Sequence, residues 1–204
     1  MTDRSINKNM PRTEEQYEEI RESRRNMIME TALELFAASG YHNTSISMIA
    51  GKAGISKGLL YNYFEGKEEL LNAILDKGIQ ELMLFFDPNK DGIITEDELR
   101  YYIDELFVIL RERREYWRLY FAIALQPLVF EKVYNKAADL TRVYLGMIIR
   151  YFREKGFDDP ETEGILFHML LDGISLNYIM GPDEFPIEKV KNLLYNKYLN
   201  CKNK

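Results

Sequence analysis

The sequence holds one cysteine, Cys201, among 204 residues. That excludes an internal disulfide framework and fits a reducing compartment. It has two histidines, His42 and His168, with no metal-spaced partners, so both read as structural. Long apolar runs are missing as well. Stretches such as 106–110 and 119–125 fall well short of the ~18 residues that cross a bilayer, so no membrane partner is expected. Residues 1–25 are charged throughout and have no apolar centre, which argues against a secretory signal and for a cytoplasmic protein. No paired acid and base, no nucleophile constellation and no phosphate-cradling glycine loop is present, so no enzymatic activity is expected. Excess positive charge is lacking too: 27 Lys+Arg stand against 33 Asp+Glu, a net of -6. That excludes a protein that coats nucleic acid by bulk charge.

What the chain does have is 46% hydrophobic and 13% aromatic residues, enough for a sizeable core. Its apolar positions recur at three and four. Ile28, Ala32, Leu35 and Phe36 form one stripe, and Leu99, Tyr102, Ile103, Leu106 and Leu110 another. Phe130, Val133, Ala137, Leu140, Tyr144, Met147 and Tyr151 make a third, and Ile165, Met169, Leu176 and Ile179 a fourth that Asp172 interrupts. This is helical periodicity without strand alternation, so the expected fold class is all-α. Gly40 reads as an αL terminator, Gly54 as a turn, and 87–95, 156–160 and 181–182 as breaks. The expected helices flanking the first of these breaks cover 70–86 and 96–113.

Residues 44–67 read TSISMIAGKAGISKGLLYNYFEGK. Thr44 or Ser45 can cap a short helix through Ala53, Gly54 supplies a turn, and Ser56 caps a second helix ending at Phe64. Two short helices joined this way form a helix-turn-helix. Ile49, Ile55, Leu60 and Phe64 fall inward. Lys57, Gly58, Leu59, Tyr61, Asn62 and Tyr63 are left outward or near it, a cation and aromatic hydroxyls with no acid, suited to phosphates and base edges. Exposed tyrosines on such a hairpin would equally suit dimer packing.

Glu34-Leu35-Phe36, Gly40-Tyr41, Thr44-Ser45, Ile49-Ala50, Ala53 through Gly58, Leu60-Tyr61, Tyr63-Phe64 and Lys67 through Leu71 together resemble the TetR family of bacterial transcriptional regulators. Residues 1–25, polar and rich in Glu and Arg, read as an N-terminal extension, a frayed or extended start to the first helix. The resemblance implies a three-helix DNA-binding domain at 26–69, then a connecting fourth helix and an effector-binding and dimerising helical bundle within 70–204. By position, Thr44 and Ser45 would meet phosphate at a helix N-terminus. Ser56, Lys57, Gly58, Tyr61, Asn62 and Tyr63 would approach the major groove of a palindromic double-stranded operator, and Lys67 the DNA backbone. Leu59 stands where the family often has Thr or Asn, which would exchange a base hydrogen bond for contact with a thymine methyl. Met48 replaces a common acid. The segments 159–180 and 186–200 would pair in a homodimer, with Cys201 a bystander. Asp172 reads as a hydrogen bond at that interface or as an effector contact. Tyr102, Trp117, Tyr120, Phe121, Phe130, Tyr134, Tyr144 and Met147 would line a pocket for a small apolar or aromatic effector, or simply fill the core.

Residues 87–98, DPNKDGIITEDE, satisfy every required position of the calcium loop pattern D-x-[DN]-x-[DN]-G-x5-E. Asp87, Asn89 and Asp91 would offer side-chain oxygens, Ile93 its carbonyl, Thr95 a direct or water-mediated contact, and Glu98 a bidentate carboxylate. Ordinary turn chemistry and a Thr95/Glu98 capping box account for the same residues without metal. No cofactor is required, and calcium (Ca2+) is the one optional ion.

The sequence thus reads as a DNA-binding transcriptional regulator, a repressor released by a small effector and modulated or stabilised by calcium. The alternative is a calcium-binding interaction module with a vestigial DNA-binding domain. Charge distribution agrees with the former. Residues 1–67 balance 9 Lys+Arg against 9 Asp+Glu, while 87–98 alone hold one Lys against five acids.

Overall fold

A computed structural model describes residues 13–199, so Cys201 and the first half of the 1–25 segment lie outside the described residues. Among the described residues the structure is all-α, without strands. Helix α1 (Glu14–Ser39) starts on a capping box in which Thr13 and Gln16 each accept the other's backbone N–H. Its first three turns are polar and largely exposed, and burial begins at Ile28. In its described part the polar segment before residue 26 is thus an extended start of α1, as expected. Gly40 ends α1 with φ 83° and ψ 149°, a positive φ that suits glycine but not the αL geometry expected there.

Two short helices follow, each begun by a serine hydroxyl. Ser45 accepts the Met48 N–H (3.2 Å) to start α2 (Ile46–Lys52), and Ser56 accepts the Leu59 N–H (3.1 Å) to start α3 (Lys57–Tyr61). Gly54 makes the turn between them at φ 67°. α3 stops earlier than expected, and Phe64 reaches the core from the turn beyond it. Ile28, Ala32, Phe36, Ile49, Ala50, Leu60 and Phe64 close this three-helix unit, against which Leu70, Leu71 and Ile74 of α4 (Lys67–Met83) pack.

α4 carries the chain into a bundle of α5 (Glu96–Glu112), α6 (Arg114–Ala124), α7 (Pro127–Glu154), α8 (Pro160–Met180) and α9 (Ile187–Tyr198). The α4/α5 break comes earlier than expected, with Leu84–Phe86 in a turn rather than helix. α8 begins where Pro160 occupies the first turn and Asp159 accepts the Thr162 N–H (3.1 Å). The bundle centre is aromatic: Phe152 stacks on Tyr198 at 5.1 Å, and Phe167 meets the same ring edge-on at 4.9 Å. Among the described residues no helix is long and apolar enough to cross a membrane.

α4 and α6 approach so closely that one side chain fits where two would clash. A Cβ on Gly78 would lie 2.1 Å from the Tyr120 ring, whose hydroxyl is tied to the Leu75 carbonyl at 3.1 Å. Gly78→Ala is therefore expected to lower stability by about 1–3 kcal/mol, despite alanine's better helix propensity. Urea denaturation measures it, and an unchanged midpoint would contradict the close crossing.

Candidate DNA interface and effector cavity

At the tip of the three-helix unit, α3 presents Lys57, Gly58, Tyr61 and Asn62 to solvent, with Tyr61 52% exposed. Ser45 and Ser56 lie exposed at the two helix N-termini, and Leu59 and Tyr63 are half-buried beside them. Lys57 has no ion pair among the described residues, whereas Lys52 is held by Glu34 at 2.8 Å. The available cation and hydroxyls thus sit on one short helix and the turn that starts it.

Two residues expected on DNA face elsewhere. Thr44 is 1% exposed, with its hydroxyl 2.9 Å from the Gly40 carbonyl and 3.2 Å from that of Leu35. It closes the turn from α1 to α2 and has no hydroxyl left for phosphate. Lys67 folds back so that its ammonium donates to the carbonyls of Tyr41 (2.8 Å), Thr44 (2.9 Å) and His42 (3.2 Å) and lies 4.5 Å from the Tyr41 ring centroid. All three of its donors are engaged, so it braces the turn between α1 and α2.

The same turn is gripped from the bundle by a residue that the sequence did not single out. Gln126, at the start of α7, accepts the Tyr41 N–H (3.1 Å) and donates to the Phe36 carbonyl (3.0 Å). Farther along α7, Lys132 pairs with Glu68 and Lys136 with Asp76 at 2.8 Å, both on α4. The Lys132 hydrogen bond holds the Glu68 carboxyl below its ordinary range. Burial, with the charge of Glu68, raises the Tyr41 phenol.

The opposite face of α7 lines a cavity of about 540 Å3 bounded also by α4, α5, α6 and α8. Tyr102, Tyr120, Phe121, Phe130 and Tyr134 line it as expected. Trp117, Tyr144 and Met147 do not: Trp117 and Tyr144 are buried in the core behind the wall, and Met147 packs against that core. His168, expected to be structural, is on the wall, with Asp172 beside it at 3.6 Å. Arg142, Thr141 and Ser175 complete the polar lining, the Ser175 hydroxyl being committed to the Leu171 carbonyl (2.7 Å). Partial desolvation by the surrounding wall pushes the Asp172 carboxyl up, although its side chain stays largely exposed, and nearby His168 opposes this. The Tyr102 phenol is raised by burial and by the charge of Asp172, and the Tyr144 phenol by burial and by Tyr102 and Asp172.

In the 87–98 loop, Asp87 Oδ2 accepts the Gly92 N–H (3.1 Å) and leaves Oδ1 buried without a hydrogen-bond partner. Lys90 and Gly92 adopt positive φ (58° and 74°), and Ile94 is buried beneath the loop. Asp91 Oδ1 accepts the Ile93 N–H (2.8 Å), and Asn89 Oδ1 that of Asp91 (3.0 Å). Glu98 completes a capping box with Thr95. The required oxygens are present, but no group of three acidic, His or Cys side chains is gathered as a metal cage among the described residues.

Residues 28–74 match the family described as bacterial regulatory proteins, tetR family. A 68-residue segment is 40% identical to the HTH-type transcriptional regulator SrpR of Pseudomonas putida; it is 33% of this chain and spans only 32% of SrpR. A transcriptional regulator of Aquifex aeolicus superposes with a TM-score of 0.64 at 26% identity, over 86% of this chain and 99% of that one. SmeT, the repressor of the Stenotrophomonas maltophilia multidrug efflux pump SmeDEF, superposes in its triclosan complex with a TM-score of 0.67 at 21% identity, over 89% and 93%. These likenesses are to regulators of transcription, not to enzymes. The exposed α3, the capped pair α2/α3 and the matched span coincide, and so residues 28–74 are a helix-turn-helix domain of the tetR family of bacterial regulatory proteins, on a chain with the fold of such regulators.

Proposed function

We propose that the protein is a cytoplasmic, homodimeric repressor that binds a palindromic DNA operator through α3 and is released by a small effector held in the bundle cavity. The observation that carries this reading is α7, one face of which walls the cavity while its start and first turns grip the DNA-reading unit. A ligand that favours one setting of α7 shifts the pose of α3, and it acts only through that differential affinity. The triclosan complex of SmeT supports a small aromatic molecule as effector. Dimerisation is supported by an apolar face on α7, α8 and α9, where Val143, Met169 and Leu193 are 63%, 63% and 67% exposed. A two-fold pair of subunits would set two α3 helices in successive major grooves, about 34 Å apart.

A second reading concerns residues 87–98, which we propose bind calcium through Asp87, Asn89, Asp91, the Ile93 carbonyl, Thr95 and Glu98. The buried, partnerless Asp87 Oδ1 favours it. Binding would require Glu98 to leave the Thr95 cap, and would tie the end of α4 to α5. Calorimetry with calcium chloride is expected to show heat that Asp87→Ala with Glu98→Gln removes, and no heat with the unaltered chain would refute the site. Calcium heat without sequence-specific DNA binding would instead favour a calcium-dependent interaction module.

DNA binding is tested by selecting sequences from a random duplex pool and titrating the enriched operator by fluorescence anisotropy. Tyr61→Ala is expected to weaken binding by about 1–3 kcal/mol. Lys57→Ala should also flatten the salt slope by about one unit per lost phosphate contact. Lys67→Ala should weaken binding while leaving that slope unchanged, because its ammonium holds protein carbonyls. A flattened slope for Lys67→Ala would place it at the DNA interface, and unaltered binding by both Tyr61→Ala and Lys57→Ala would remove α3 from it.

A further inference from the structure

Within the cavity, the acidic group lies where the apolar wall is interrupted. The Asp172 carboxylate, on α8, is open to the cavity space and flanked by His168 one turn earlier, with Tyr102 of α5 and Tyr144 of α7 close enough to feel its charge. Arg142 of α7 also reaches the cavity, largely exposed and 2.8 Å from Asp139 on its own helix, and it does not pair with Asp172. Among the described residues no Lys or Arg pairs with Asp172. His168 is its neighbour at 3.6 Å and offsets its charge only when protonated. The Asp172 side chain is 71% exposed, so its carboxylate is accessible to the charge of a ligand. The rest of the wall is built from ring faces and aliphatic side chains, with Tyr120, Phe121, Phe130 and Val133 among them.

We propose, resting on the reading of this cavity as the effector site, that it takes an amphipathic organic cation whose ammonium head meets Asp172 and whose apolar body lies against the aromatic wall. The head would supply the charge-assisted hydrogen bond that Asp172 lacks, and the ring faces would add cation–π attraction. A fatty-acid-like anion of the same length would place a second negative charge beside Asp172. A neutral amphiphile would fill the apolar space and leave the carboxylate unpaired. Charge, rather than length, therefore sets the specificity.

Calorimetric titration of the full-length protein with decylammonium, decanol and decanoate separates these cases, because the three differ only in the head group. Decylammonium is expected to bind most tightly, by about tenfold over decanol, the value of one hydrogen bond to a charged group. Asp172→Asn should remove most of that margin, with circular dichroism and thermal melting checking that the variant stays folded. Leu106→Trp, which fills the cavity from α5, should weaken the binding of both decylammonium and decanol. Decanoate binding best, no binding of decylammonium, or a margin unchanged by Asp172→Asn would each overturn the proposal. Adding decylammonium to the protein–operator complex keeps this test apart from the regulator reading. Binding of the cation without release of DNA would contradict the effector mechanism and leave the cavity's specificity standing. Release of operator by decanoate but not by decylammonium would leave the mechanism standing and overturn the specificity.

Discussion

The two parts of the molecule are held together by the packing of α1 on α6 and α4 and, at the turn after α1, by the hydrogen bonds of Gln126. Its amide takes one backbone donor and one backbone acceptor on either side of Gly40, where α1 ends and the chain turns toward α2. Lys67 and Thr44 satisfy the carbonyls of the same turn from the other side. A five-residue helix such as α3 has no stability of its own, so its direction is inherited from this turn and from the packing of Leu60 and Phe64. The ion pairs Lys132–Glu68 and Lys136–Asp76 lie on the same seam but are partly exposed, and pairs of that kind contribute little singly. The amide therefore fixes the turn locally, and the charges align α7 along α4.

This arrangement explains why the cavity sits where it does. Phe121 and Ala124 precede Gln126 on α6, and Phe130 follows it on α7, and all three line the cavity. A ligand that displaces these walls acts within a few residues of the bonds that orient the DNA-reading unit. Gly78, beside Tyr120, keeps α4 and α6 in close contact on the same wall. In the proposed mechanism, coupling would run through α7, which lines the cavity and whose start, at Gln126, contacts the turn after α1.

The parts of this structure written in local chemistry could be read from the sequence. Ser45, Ser56, Thr95 and Asp159 cap the helices because each needs only an N–H two or three residues ahead. The α5 stripe is buried throughout, as its periodicity predicts, whereas on α7 only Tyr144 and Tyr151 of the stripe are buried and Phe130 and Leu140 are exposed, because that face borders the cavity. The protein contacts of Thr44 and Lys67 are not legible in the sequence because their partners are set by folding: the Lys67 ammonium binds carbonyls 23 to 26 positions earlier in the chain. Trp117 and Tyr144 share the composition of the cavity wall, and only packing turns them behind it. His168 and Asp172 stood one helical turn apart on α8, but periodicity cannot say that their shared face borders empty space. Gln126 carried no signal at all, being one polar residue before a proline.

The claim that the seam sets the pose of the DNA-reading unit is tested most directly by amide hydrogen exchange in Gln126→Ala. The account predicts faster exchange across residues 40–67, with protection of α8 and α9 unchanged. Equal exchange at residues 40–67 in both proteins would contradict it.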